Sequence, residues 1–256
     1  MNPGQTYEDL GLHLAPGSQH YRAFIGPAED YDLVSAMSFG LLTTLGLRQH
    51  HSLLDIGCGS LRNGRLLIPY LNKGNYVGIE PNEWLVKEGI AREVGEDQIR
   101  IKEPRFLYAD SAANLGDDEV FDFAVAQSIF SHCGRDLLEQ WLKEVSAHLS
   151  DSGALVATFI GGAVDFVGSG WVYPGCVTFR LETMLQMSMS AGLRFRLLDW
   201  RHPRQHWALF AAPGFEDSWL AEKTPSWNTA VDSGVWNSLS PADLLSGLAS
   251  KPSPGR

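Results

Sequence analysis

Residues 53–67 read LLDIGCGSLRNGRLL. An apolar run stops at Asp55, a turn passes through Gly57 and Gly59, and an apolar rhythm then resumes. A strand, a turn and a helix in this order place free backbone N–H groups and a helix N-terminus at the carboxyl edge of a sheet. Ligands of open α/β sheets bind at that edge, so the stretch predicts a ligand site.

Length and composition predict one α/β domain with extensions. The chain has 256 residues, 44% of them hydrophobic, and no window reaches the roughly 20 consecutive apolar residues that a membrane span requires. A secretory signal combines a basic region with an apolar run, and the first residues show neither feature. We therefore expect a soluble cytoplasmic protein with no role at a membrane.

Charge and cysteine content restrict the ligands. A net charge of −10 disfavours nucleic acid, because such binding rests on Lys and Arg side chains that neutralise phosphates. Cys58, Cys133 and Cys176 are odd in number and far apart, which favours reduced thiols over disulfides or a zinc site. The predicted partner is a small-molecule substrate; no metal ligands are assigned, and a homodimer is left open.

Strand and helix patterns alternate along the middle of the chain. Apolar strands with helices between them indicate a doubly wound sheet, mostly parallel and joined by right-handed crossovers. The last two strands are separated only by RHPRQ, so they form a hairpin and the final strand enters antiparallel. The predicted fold is thus an α/β seven-stranded sheet, with strands at 52–57, 75–80, 105–110, 121–129, 153–160, 194–200 and 206–212, and helices at 62–71, 81–93, 135–149 and 181–193.

Segments at both ends extend this domain of residues 48–212. Residues 1–47 are predicted to form an ordered arm followed by a capping helix over residues 33–47. Residues 213–256 are rich in Ser, Pro and Gly but contain Trp219, Trp227 and Trp236. Three tryptophans are expected to avoid water, so part of this extension should pack on the domain while its end stays flexible.

The glycine turn alone fits two ligands, a dinucleotide pyrophosphate or a nucleoside without phosphate. The dinucleotide fingerprint has a third glycine where this chain has Arg62. Glu80, at the end of the second strand, can accept the hydroxyls of a ribose in either case. Asp110 and Ser111 follow the third strand and can read an adenine edge, and Gln127 ends the fourth strand beside the first.

The ordered set D-x-GCG, E, D-S and QSIF-H on successive strand ends resembles the class I S-adenosylmethionine-dependent methyltransferases over roughly residues 50–212. The terminal hairpin is also typical of that family. The resemblance implies S-adenosyl-L-methionine as cofactor, with the turn on its methionine part, Glu80 on the ribose and Asp110 on the adenine. The cofactor-binding residues that it implies are Asp55, Gly57, Cys58, Gly59, Ser60, Glu80, Pro81, Asn82, Trp84, Asp110, Ser111, Gln127 and Ser128.

Two further residues are predicted to serve the acceptor. His132 follows the fourth strand, where a base could take the proton of an acceptor hydroxyl, and packing of the next helix is the alternative. Asp165 lies in the insertion GGAVDFVGSGWVYPGC and could orient that hydroxyl or bind a divalent cation, or could simply be an exposed loop carboxylate. Tyr21 and Arg22 of the arm either cover the cofactor carboxylate or pack structurally.

The sequence thus predicts a methyltransferase that acts on a small-molecule hydroxyl, for example of a sugar or a secondary metabolite. One alternative is an NAD-type dinucleotide oxidoreductase, which Arg62 and the terminal hairpin both oppose. Another is a non-catalytic S-adenosylmethionine-binding partner protein whose tryptophan-bearing extension docks on a second chain.

Overall fold

The computed structural model describes residues 10–221. One seven-stranded sheet has the order β3-β2-β1-β4-β5-β7-β6. Its strands are β1 Leu53–Ile56, β2 Tyr76–Ile79, β3 Arg105–Leu107, β4 Phe121–Ala126, β5 Leu149–Phe159, β6 Arg194–Leu198 and β7 His206–Ala211. The helices are α1 Tyr31–Thr44, α2 Gly64–Tyr70, α3 Glu83–Gly89, α4 Glu96–Lys102, α5 Arg135–His148 and α6 Leu181–Ser190.

The sheet confirms the predicted topology. The β1 strand pairs in parallel with β2 on one side and with β4 on the other, so Asp55 lies between Gly78 and Val125. The strand order changes direction between β1 and β4. The connections that follow these two strands therefore run to opposite sides of the sheet and leave a crevice at its carboxyl edge. As predicted, β7 is antiparallel to both of its neighbours, β5 and β6.

Apolar side chains are buried on both faces of the sheet, which explains why the strands read as continuous apolar runs. Within β1, Leu53 packs in one core cluster with Leu41 and Leu67 of helices α1 and α2. Its neighbour Leu54 packs in the other cluster, together with Leu138 of α5. Successive side chains of a strand point to opposite faces of the sheet, and here both faces are covered by an apolar core instead of one face being exposed to solvent.

The π-helical turn Ile90–Val94 begins within the helix predicted over residues 81–93, whereas the sequence did not predict helix α4. Neither segment contains a fully buried residue, and Ile90, Val94 and Ile99 pack only partly against the core, so the apolar signal for a separate helix is weak there. Helix α1 also ends at Thr44, short of the predicted residue 47, and the chain turns at Gly46 with φ of 107°.

The segments outside the sheet pack against it where they are described. Tyr21 and Ala23 of the arm are buried, and Trp219 packs on the core cluster that contains Leu220. Trp227 and Trp236 lie outside the described residues. No helix in the described part of the chain is both long and apolar enough to cross a membrane.

Candidate active site

A cavity of about 570 Å³ opens at the carboxyl edge of the sheet. Residues that follow β1, β2, β3 and β4 form its floor, and residues from the arm and from the insertion after β5 form further walls. Its volume lies in the range of pockets that hold a small-molecule ligand or cofactor. The cavity therefore occupies the place at which open α/β sheets bind ligands.

Most of the cofactor-binding residues predicted from the sequence meet in this cavity. Those that line it are Gly57, Cys58, Glu80, Pro81, Asn82, Asp110, Gln127 and Ser128. The remaining ones, Asp55, Gly59, Ser60, Trp84 and Ser111, are not among its lining residues. Their cofactor contacts stay predictions, and the structure gives several of them supporting positions instead.

The turn after β1 requires glycine at two positions. Gly57 has φ of 63°, and a Cβ atom there would lie 2.1 Å from Cδ1 of Ile129. Gly59 has φ of 54°, and its Cβ would lie 2.9 Å from Cγ2 of Ile25. The left-handed backbone and the close neighbours together explain the GCG spacing.

Helix α1 supports this turn from behind. The Tyr31 hydroxyl donates a hydrogen bond to the carbonyl oxygen of Ser60 at 2.8 Å, and Ser35 Oγ donates to that of Arg62 at 2.5 Å. Burial raises the pKa of Tyr31, so its hydroxyl stays protonated and remains a donor. The turn is thus held by side chains that precede β1 in the sequence.

Glu80 connects the turn to the end of β2. One carboxylate oxygen accepts the Gly59 N–H at 3.1 Å, and the other accepts the Asn82 backbone N–H at 2.9 Å and its side-chain amide at 2.7 Å. Burial raises the pKa of this carboxyl above its usual value, while the three donors oppose that shift. Each oxygen has two lone pairs, so the carboxylate retains capacity for a ligand hydroxyl.

Asp55 lies beneath the turn and is buried. It accepts a hydrogen bond from the Tyr76 hydroxyl at 2.7 Å, and burial raises its pKa to about 7. The side chain does not line the cavity. Its described hydrogen bond goes to β2, so the role of ordering the turn stays a prediction.

Replacing Asp55 with asparagine should flatten the pH dependence of stability. The native carboxyl keeps its proton up to a pH of about 7, whereas the unfolded one ionises near its usual pKa of 3.8. The native state therefore binds more protons in this window, and stability falls as the pH rises through it. Melting temperatures at pH 5 and pH 8 should show the difference between Asp55→Asn and wild type becoming more positive at pH 8. Parallel curves would contradict the assignment, and Asp97→Asn on exposed α4 is the control.

Arg62 and Asn63, directly before α2, line the cavity although the sequence did not identify them as ligand contacts. The Asn63 side-chain oxygen is buried and has no hydrogen-bond partner within the described residues. A buried acceptor without a donor is unfavourable, so this atom is available to a ligand N–H group. The only sequence signal was their place after the glycine turn.

The arm contributes apolar walls rather than the predicted charged contacts. Arg22 forms ion pairs with Glu93 at 2.5 Å and Asp32 at 3.1 Å, and the Tyr21 hydroxyl donates to Glu93 at 3.0 Å. Neither Tyr21 nor Arg22 lines the cavity, whereas Phe24 does, as does the adjacent Ile25. Of the two roles left open for Tyr21 and Arg22, the structure favours packing of the arm.

His132 is buried directly behind two walls of the cavity. Its ring lies 4.8 Å from that of Tyr173 and 5.6 Å from that of Trp171, and both of these residues line the cavity. Its Nδ1 is 2.6 Å from the carbonyl oxygen of Gly175, and because a carbonyl only accepts, Nδ1 carries the proton. The neutral ring then presents Nε2 as an acceptor, and burial lowers the pKa of His132 below 6.5.

Asp165 lies away from the cavity and anchors the start of α6. It accepts hydrogen bonds from the Arg180 backbone N–H at 2.7 Å, from the Arg180 guanidinium at 2.8 Å and from the Thr183 hydroxyl at 2.8 Å. Hydrogen bonds from Arg180 hold the pKa of this carboxyl at about 2. These contacts account for an aspartate at this position without any interaction with a methyl-acceptor substrate, and its catalytic role stays an untested prediction.

Comparisons with known proteins point to one family. A family model described as a methyltransferase domain matches residues 54–155. A magnesium protoporphyrin IX methyltransferase from Synechocystis PCC 6803, solved with bound SAM, is 13% identical, with a TM-score of 0.55 over 81% of this chain and 85% of that one. The glycopeptide N-methyltransferase MtfA, complexed with S-adenosyl-L-homocysteine, is 11% identical, with a TM-score of 0.54 over 71% and 90%.

A further solved structure is a putative O-methyltransferase from Nostoc punctiforme PCC 73102. It is 13% identical to this chain, with a TM-score of 0.57 over 77% of this chain and 62% of its own. At these identities the likeness establishes the fold, which is that of the class I methyltransferases, as the sequence predicted.

Proposed function

We propose that this chain, whose residues 54–155 form a class I methyltransferase domain, transfers the methyl group of S-adenosyl-L-methionine to a hydroxyl oxygen of a small molecule. The observation that carries the proposal is one cavity in which the Gly57 turn, Glu80 and Asp110 meet at the ends of three strands. The chain is a methyltransferase in fold and domain family, and the acceptor atom and the base are the finer parts of the proposal.

The described residues fit a nucleoside that carries an amino-acid tail. Glu80 offers carboxylate oxygens where a ribose would need acceptors, and Asp110 does so where an adenine amino group would need one. The unpartnered Asn63 oxygen offers an acceptor for a ligand ammonium group. Gly57, whose close neighbour Ile129 leaves no room for a side chain at this position, brings the backbone of the turn to the cavity lining.

When bound, S-adenosylmethionine supplies a sulfonium whose methyl carbon is already activated toward a nucleophile. The main task of the protein is therefore to hold the acceptor in line with that methyl group, an effect worth up to several kcal/mol. An alcohol is protonated at neutral pH, so its reaction also needs a base. His132 supplies that base in our proposal, because its Nδ1 is engaged by Gly175 and its Nε2 contacts no hydrogen-bonding group within residues 10–221.

The walls of the cavity support an acceptor of modest size. Tyr173, in the insertion after β5, donates a hydrogen bond to the backbone carbonyl of Phe24 in the arm, and the two rings lie 6.1 Å apart. The arm and the insertion therefore meet beside the cavity and limit what can enter. That two structural neighbours are methyltransferases for magnesium protoporphyrin IX and a glycopeptide also supports a small-molecule acceptor. The cytoplasmic location and the homodimer remain proposals from the sequence.

A thermal-shift experiment tests the cofactor. S-adenosylhomocysteine at about 100 times its Kd should raise the melting temperature by about 5 °C or more, and NAD should not. Glu80→Ala should lose the shift, while Glu83→Gln, in an exposed ion pair with Lys87, should keep it. Stabilisation by NAD alone would contradict the proposal.

A turnover assay with matched alcohols and amines then tests the acceptor atom. Methylation of the hydroxyl compounds should exceed that of their amine analogues. The reverse order would move the reaction to nitrogen, and no turnover with any acceptor would favour a cofactor-binding partner protein.

A further inference from the structure

Arg62 is a buried guanidinium in the cavity wall, and the carboxylates of Asp55 and Asp30 act on it electrostatically without forming an ion pair with it. It is 6% exposed, and within the described part of the chain it donates hydrogen bonds only to the Ile25 carbonyl at 3.4 Å and to Gln127 Oε1. Among residues 10–221 no carboxylate oxygen lies within ion-pair distance of it, whereas the similarly buried Arg22 has both Glu93 and Asp32. A guanidinium has five N–H donors, so most of those on Arg62 lack an acceptor among the residues that the structure describes.

His202, in the turn between β6 and β7, places a second hydrogen-bond donor beside the side-chain amide of Gln127. Its Nδ1 accepts the backbone N–H groups of Arg204 at 3.1 Å and Gln205 at 3.0 Å, so that nitrogen carries no proton. The proton must therefore reside on Nε2. This atom lies 3.2 Å from the side-chain nitrogen of Gln127, which is itself a donor.

Rotating the Gln127 amide by half a turn does not remove the conflict. Its oxygen would then accept from His202, but its nitrogen would face the Arg62 guanidinium. One carbonyl oxygen cannot lie on both sides of the amide, so either orientation leaves two donors in contact. The group formed by Arg62, Gln127 and His202 thus needs one acceptor more than its own three side chains provide.

We propose that Arg62, Gln127 and His202 form a binding subsite for a ligand carboxylate. The inference rests on the proposed function, because it places the ligand in the same cavity. A carboxylate has two oxygens that match the planar fork of an arginine and is the usual partner of a buried guanidinium. By engaging Arg62 it also frees the Gln127 oxygen to accept the His202 N–H. The carboxylate belongs either to the amino-acid tail of the cofactor or to the acceptor.

Calorimetric titrations distinguish these two sources. S-adenosylhomocysteine carries the tail, and 5′-methylthioadenosine lacks it. If the cofactor provides the carboxylate, Arg62→Gln should weaken S-adenosylhomocysteine about 30-fold and change 5′-methylthioadenosine by less than about threefold. If the acceptor provides it, both affinities should survive in Arg62→Gln, and benzoate should bind the wild type but not that variant. Arg62→Lys keeps the positive charge but loses the planar guanidinium, so it should weaken whichever ligand Arg62→Gln weakens, to a smaller extent. Arg100→Gln, on exposed α4, should bind all three ligands as the wild type does.

The histidine provides a second readout that does not depend on a substitution. The ¹⁵N resonance of His202 Nε2 should shift when the carboxylate ligand binds to the wild type, while 5′-methylthioadenosine should leave it in place. Retained affinity for S-adenosylhomocysteine in both Arg62 variants, with no benzoate binding to the wild type, would overturn the inference. If S-adenosylhomocysteine fails to bind the wild type, the proposed cofactor is wrong, and the benzoate arm still decides whether the carboxylate subsite exists.

Discussion

Replacing His132 with glutamine should lower kcat by about a thousandfold while leaving the Kd of S-adenosylhomocysteine within about threefold of wild type. The side chain contacts Gly175, Tyr173 and Trp171, and it lies behind the cavity wall rather than among the lining residues that are proposed to bind the nucleoside. Its loss therefore removes the base and keeps the cofactor contacts. His50→Gln, an exposed histidine before β1, is the matched control.

The pH dependence of the rate separates a base from a packing residue. Burial lowers the pKa of His132 below 6.5, so the ring is neutral and able to accept a proton at neutral pH. The wild-type kcat should fall on the acid side with an apparent pKa below 6.5, and this limb should be absent from the residual activity of His132→Gln. A variant with full kcat, or one that retains the acid limb, would assign His132 to packing alone.

Glu93→Gln should destabilise the protein by about 3 kcal/mol, because it leaves buried cations short of a partner. The Glu93 side chain is 7% exposed and pairs with Arg22 at 2.5 Å and with Arg65 at 3.2 Å. For a domain of this size the loss corresponds to a fall in melting temperature of about 6–12 °C. Cofactor affinity should fall as well, because Arg22 anchors the arm segment that carries Phe24 and Ile25 into the cavity wall.

Glu88→Gln is the matched control for this prediction. Glu88 pairs with Arg92 one helical turn away, and both side chains are more than 40% exposed. Exposed pairs of this kind contribute about 0.3–0.5 kcal/mol, so the control should melt close to wild type. Equal melting temperatures for the two variants would show that the Glu93 cluster contributes no more than a surface ion pair.

The sequence predicts those features that depend on local pattern. The two glycines after β1, the acid that ends β2 and the short turn between β6 and β7 each lie within a few residues of the strand that defines them. Their positions in the sheet follow once the strands pair in parallel and the last one returns as a hairpin. The sheet topology and most of the cofactor-binding candidates could therefore be predicted from the sequence alone.

Features that depend on distant contacts could not be inferred in this way. Arg22 and Glu93 are 71 residues apart, and nothing near either of them indicates that they meet. The glycine-rich insertion suggested a catalytic role for Asp165, but the structure pairs this residue with Arg180. Nothing in the sequence near Asp165 indicates that ion pair. In the sequence Arg62 is only a residue that differs from the dinucleotide fingerprint. The structure places its guanidinium beside Gln127, whose side chain in turn contacts His202.

The hydroxyls of helix α1 that hold the glycine turn also define the shortest chain able to bind the cofactor. The matched domain begins at residue 54, but Tyr31 and Ser35, which support the backbone of the turn, come before it. A chain trimmed to residues 48–212 would retain every strand and nearly all of the polar residues at the strand ends. It would nevertheless lose the supports of the turn and the walls that Phe24 and Ile25 provide. The N-terminal region is therefore a working part of the ligand site, and a shortened chain that folds should bind S-adenosylhomocysteine poorly.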